Sequence, residues 1–206
     1  MDGWLLALII IVVIILFILI LWALIASPTA SVQVSRGQNV SNNGQNSLAL
    51  AHLNLAQQTS NFIQQAKYGY KGLKVTYDQM NKLAEYIGKS MGSSKLGDYL
   101  KEKNEIYKEL VERIVVNGDN LKPDDHLFKH LDETNQKIAD ILAHNYVTTH
   151  NLKDQKSFDD ARTKYRTLLH KYDVAVVSQM KYVADGDHAK AAAAAFQAQS
   201  IMVNGA

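Results

Sequence analysis

Residues 4–26 are apolar without interruption, about 23 positions of mainly Ile, Leu and Val with no charge, amide, glycine or proline. As an α-helix this run would reach about 34 Å, enough to cross a hydrocarbon core of about 30 Å with some tilt. Lipid offers no partners for backbone N–H and C=O groups, so a helix is the one form in which a single segment can span it. Trp4 and Trp22 lie near the two ends, where indole rings favour the headgroup level. A cleaved signal peptide fits less well, because Asp2 is the single charged side chain before the run and the run is too long. The expectation is an uncleaved, single-pass membrane anchor at 1–26.

The pattern then changes twice. Residues 27–45 are rich in Ser, Asn, Gly and Gln, with Arg36 their single charge, and they show no apolar period. They read as a flexible polar tether. The tether carries the sequon Asn39-Val40-Ser41, which matters only if this side faces a secretory lumen. From 46 to 206 the apolar positions recur at steps of three and four, and alternating β-branched runs are missing.

Six helical stretches follow from that period. The first, near 47–68, aligns Leu48, His52, Leu55, Thr59, Phe62 and Ala66. A shorter one at 76–87 aligns Met80, Leu83, Ala84 and Ile87, with Gly88 beyond its end. The third, 94–116, aligns Leu96, Leu100, Lys103, Tyr107, Leu110 and Ile114. Pro123 is expected to open the fourth, to about 147, with Leu127, Leu131, Thr134, Ile138, Ile141 and Leu142 inward. Ser157 with Asp160 resembles a cap for the fifth, to about 184, which would bury Phe158, Ala161, Tyr165, Leu168, Tyr172, Ala175, Val176 and Val183. Asp187 is the expected N-cap of an alanine-rich last helix through about 203. The class predicted is all-α: one N-terminal transmembrane helix, then an antiparallel bundle of four long helices and one or two short ones.

Composition narrows the chemistry. There is no cysteine, so disulfides, thiol catalysis and thiolate metal sites are excluded. The net charge is +2 with both signs interspersed, which gives no basic stripe for nucleic acid. No zinc-protease motif, phosphate-cradling glycine loop or nucleophile elbow occurs. His126 and His130 stand four apart, at metal-ligand spacing, but share a face with Lys129, Glu133 and Lys137 and read as solvated. His144 and His150 flank a helix end, where an imidazolium would suit the dipole.

The polar residues on apolar stripes are the more informative candidates. His52, Lys103, Thr134, Tyr172 and Gln179 fall at inward steps, and buried polar groups need partners. Lys103 is the most unusual, because unpaired lysine is rarely buried. It either belongs to a polar site or lies at the stripe's edge with its ammonium in water.

Several of these residues sit in a recognisable order. Leu48-x-x-x-His52 is followed by Tyr99-Leu100-x-x-Lys103-x-x-Ile106, an Asn117-Gly118-Asp119 corner and Ile138-Ala139-x-x-Leu142. Leu168-Leu169-x-x-Tyr172 and Asp185-Gly186-Asp187-x-Ala189 complete it. Over about 48–202 the chain resembles a poorly characterised family of small helical-bundle proteins encoded by bacteria and some large DNA viruses. The family pattern has histidines at the positions of His52, Lys103 and Tyr172. His52 keeps the pattern, whereas Lys103 and Tyr172 depart from it, so the resemblance implies that a metal held by such histidines is lost here. Lysine and tyrosine could still bind an anion or hydrogen-bond a ligand.

The function expected is therefore a membrane-anchored, non-enzymatic structural or interaction protein without cofactor or metal. A component of a virion membrane is one concrete version. Its partners would be the bilayer, through residues 4–26, and a protein, with no role for nucleic acid. The alternative is a ligand-sensing bundle whose polar site, His52, Lys103 and Tyr172, takes a small molecule. Orientation leans slightly to a cytoplasmic bundle, because Arg36 is the only basic residue close to either membrane end.

Overall fold

The computed structural model describes residues 43–69 and 72–205. The anchor, the Asn39 sequon and the tether up to residue 42 lie outside them. The described residues form six helices and no strand: α1 (Asn43–Tyr68), α2 (Leu73–Ser90), α3 (Ser94–Val111), α4 (His126–Thr149), α5 (Gln155–Asp185) and α6 (His188–Gly205). One wider π turn, Glu112–Val116, carries α3 onward, so the third apolar stripe runs to its expected end. None of these helices is long and apolar enough to cross a membrane. The last residues given to the tether already belong to α1, which starts at Asn43.

Each helix packs on its chain neighbour, and α6 returns to α1 to close the bundle. The cross-links show the up-and-down order. Arg113 reaches Asp125 and Thr134 reaches Glu102, so α3 and α4 run in opposite directions. Gln179 donates to the Ser60 hydroxyl and Lys67 to the Ala184 carbonyl, which sets α1 parallel to α5. Most of the core is what the helical period selects, with Leu55, Phe62, Met80, Ile87, Leu96, Leu110, Leu131, Ile138, Val176 and Val183 all buried. Leu48, Leu83, Ile141, Leu142, Phe158, Tyr165 and Leu168, also expected inward, are only half-buried, and on α5 it is Leu169 rather than Leu168 that is buried.

Differences lie at helix starts and close contacts. Pro123 does not open α4. It sits in a turn closed by the Asp125 N–H on the Lys122 carbonyl, and Asp125 caps the helix by accepting from the Leu127 N–H at 3.1 Å. Ser157 does not cap α5. Asp154 does, accepting from both the Ser157 N–H and its hydroxyl, because a carboxylate is the stronger acceptor for unpaired amides at a helix start. Asp187 caps α6 as expected, through the Lys190 N–H. Gly88 lies inside α2 rather than beyond it, and a Cβ there would stand 2.6 Å from the backbone nitrogen of Gly97. The two glycines let α2 and α3 cross backbone to backbone. In α6, Ala191, Ala194 and Ala198 are buried while Ala192 and Ala193 face solvent, so the alanine run serves both close packing and an exposed surface.

Candidate functional site

Lys103 occupies the middle of the α3 stripe, one turn before Tyr107. It does not extend to water. The side chain is buried, with 3% of the residue exposed, and its Nζ lies 2.7 Å from Oδ1 of Asp173 on α5. Its second partner is Asn135 on α4, whose Oδ1 accepts at 2.7 Å. The Asn135 amide nitrogen in turn donates to the other carboxylate oxygen, Oδ2 of Asp173. Only this orientation of the amide works, since an ammonium cannot accept and a carboxylate cannot donate. Tyr107 completes the ring by donating its hydroxyl to Asp173 Oδ1 at 2.5 Å.

Three helices thus contribute to one closed circuit. Aromatic rings flank it: Nζ of Lys103 lies 5.5 Å from the ring centre of Tyr172 and 5.7 Å from that of Tyr107. Those two rings meet edge to face at 6.3 Å. Cations are attracted to ring faces at such separations, so the phenols supplement the carboxylate. The Tyr172 hydroxyl bonds the side chain of Thr59 on α1, which itself donates to the Leu55 carbonyl. All four long helical segments therefore touch the cluster.

Burial dominates the electrostatics. It lowers the Lys103 pKa below that of an ordinary lysine, because loss of solvation disfavours the ammonium more than Asp173 favours it. Burial raises the Tyr107 phenol well above its usual value, and the adjacent Asp173 carboxylate adds to that. The Tyr172 phenol is raised by the same cause.

Of the three residues singled out by sequence, the structure brings two together. Lys103 and Tyr172 touch. His52 is half-buried on α1, two turns before Thr59, a rise of about 10 Å along the helix. Among the described residues no hydrogen bond or ion pair joins it to Lys103 or Tyr172. Burial holds its imidazole below the ordinary pKa of 6.5. The other inward polar residues find separate partners: Thr134 donates to Glu102 and Gln179 to Ser60.

Sequence reading missed Asp173 and Asn135, the residues that satisfy Lys103. Asp173 stands four after the buried Leu169 and three before the buried Val176, so the helical period did mark it as inward. Asn135 follows Thr134 and precedes Ile138 by three, on the same buried strip.

The remaining histidines serve at the surface. His130 lies 2.8 Å from Glu102, which also accepts from Lys137, and His126 lies 3.2 Å from Asp125. His150 ends α4, stacked on Tyr146 with its ring nitrogen 2.9 Å from that residue's carbonyl. Among the described residues no three His, Asp or Glu side chains converge as a metal site would need.

Comparison of the chain with protein-family models, with curated proteins and with solved structures yields no match.

Proposed function

We propose that the chain is a membrane-tethered scaffold or adaptor whose bundle offers its outer surface to a protein partner. The observation that supports this most directly is the closure of the polar cluster. Lys103, Asn135, Asp173 and Tyr107 hydrogen-bond one another in the core, so a ligand entering here would have to displace a buried ion pair. Such a core suits a rigid platform better than a sensor. The apolar run at 4–26 would hold the platform at a bilayer, and the family resemblance adds the virion membrane as one place for it.

The membrane half of this reading is tested by deleting residues 1–26. The truncated chain should leave the membrane fraction under carbonate washing while the full chain stays. Retention of the truncated chain would overturn the single-anchor assignment. The partner half is tested by lysine-directed cross-linking in intact membranes followed by mass spectrometry. A scaffold gives a recurrent protein partner linked to surface lysines of the bundle. Cross-links confined to the chain itself would count against it.

A further inference from the structure

The Lys103–Asn135–Asp173 arrangement has a chemistry that a buried ion pair alone does not need. An amine, a carboxamide and a carboxyl group lie together, away from water and between two phenol rings. We propose that Lys103 and Asn135 condense into an intramolecular isopeptide bond, with Asp173 as the group that moves the protons.

The geometry carries the case. Nζ of Lys103 lies 2.7 Å from Oδ1 of Asn135. The amide carbon is one C=O length, about 1.2 Å, from that oxygen, which puts nucleophile and electrophile within about 4 Å. A fixed contact of that kind replaces a bimolecular encounter and so removes the entropic part of the barrier to aminolysis, leaving expulsion of the amide nitrogen to be assisted by an acid. Asp173 is placed to act at both ends of the exchange. Its Oδ1 touches the attacking nitrogen and its Oδ2 touches Nδ2 of Asn135, the nitrogen that must leave. One carboxyl group thereby bridges nucleophile and leaving group, the position a general acid–base needs.

The step balances without an oxidant or cofactor. A proton passes from the Lys103 ammonium to Asp173, giving a free amine beside a carboxylic acid. Burial loosens the ammonium's hold on its proton, in the direction of the lowered Lys103 pKa. The Nζ lone pair then attacks Cγ of Asn135, and a new C–N bond forms. Asp173 protonates Nδ2, the Cγ–Nδ2 bond breaks, and ammonia departs. The proton still on Nζ returns to Asp173 as the amide forms, so the products are a secondary amide, ammonia and the neutral Asp173 carboxyl group. Tyr107, bonded to Asp173 Oδ1, orients the carboxyl group. The product ties α3 to α4 in a chain that has no cysteine for a disulfide.

Intact-mass spectrometry of the purified full chain decides the matter. The bond makes the protein lighter by one ammonia. Trypsin then fails to cut after Lys103 and releases a branched peptide in which residues 102–108 are joined to residues 130–137. The peptide is essential, because cyclisation at Asn117-Gly118 would lose the same mass; an ammonia deficit located there overturns the proposal. So does a chain of full sequence mass with both peptides unlinked, or a deficit of one water with Lys103 joined to Asp173. Asn135→Ala must restore the full mass at this site. Asp173→Ala should leave Lys103 and Asn135 unlinked, and a branched peptide in that variant would remove Asp173 from the mechanism.

Discussion

Lys103 and Asp173 meet near the middle of the bundle with Nζ 2.7 Å from Oδ1, and the two residues are only 3% and 5% exposed. The pair joins α3 to α5, and Asn135 supplies α4 as the third wall. Charges this deep are retained only when each has a partner, so neither residue is independent of the other.

Relative to the unlinked, ion-paired chain, Lys103→Met should therefore destabilise the domain by about 3–5 kcal/mol, because it leaves the Asp173 carboxylate buried without its cation. From sequence alone the same change could be read as relief of a buried charge, which holds only if no acid faces it. The double variant Lys103→Met with Asp173→Leu removes both charges and should recover most of the loss. Denaturant unfolding of the two variants beside the parent measures this, and equal losses in single and double variants would contradict the pairing.

The bundle's order of helices was legible because burial repeats every three or four residues along each one, and Leu96, Leu100, Lys103, Tyr107, Leu110 and Ile114 are indeed all buried. What the period could not show was height. Lys103 and Tyr172 meet because their turns stand level, whereas His52, equally inward by spacing, lies about two turns below the Thr59 that touches Tyr172. Asp173 falls at helical steps from the buried Leu169 and Val176, but spacing alone does not tell a buried carboxylate from one at the edge of the stripe. Its burial makes sense only once Lys103 is known to face it.

The crossing of α2 and α3 rests on Gly88 and Gly97. A Cβ on Gly88 would meet the Gly97 nitrogen at 2.6 Å, the Gly97 Cα at 2.7 Å and the Ser93 carbonyl oxygen at 2.8 Å. These are backbone atoms that cannot swing away. Gly88→Ala should cost about 1–3 kcal/mol through overpacking, outweighing the gain of about 1 kcal/mol in helix propensity. Gly97→Ala, whose nearest neighbour is the Ala84 carbonyl oxygen at 3.3 Å, should cost less. Thermal unfolding followed by circular dichroism ranks the two.

Helix α5 offers a test of capping. Asp154 accepts from the Ser157 N–H at 2.8 Å and from its hydroxyl at 2.6 Å, and Asp160 has no part in the cap. Asp154→Ala should cost about 1 kcal/mol. Asp160→Ala is a solvent-face change and should stay within about 0.5 kcal/mol. Reversal of that order in denaturant midpoints would return the cap to the Ser157–Asp160 pair.

His52 gives the domain a pH dependence with a definite sign. Burial lowers its pKa below the ordinary 6.5, so the folded state holds the imidazole neutral where the unfolded chain would protonate it. As pH falls through about 6.5, the unfolded state therefore binds more protons, and stability falls with it. The loss continues down to the folded pKa and then levels off. Above about 6.5 both states are neutral at this position and His52 contributes no slope. His52→Gln keeps a neutral polar side chain and should flatten the stability profile between about pH 7 and 5 relative to the parent. The comparison cancels the surface histidines, which both proteins share. Unfolding midpoints at half-unit pH steps supply the two curves. Parallel curves would mean that His52 titrates alike in folded and unfolded chains, and that its half-buried position on α1 leaves it effectively solvated.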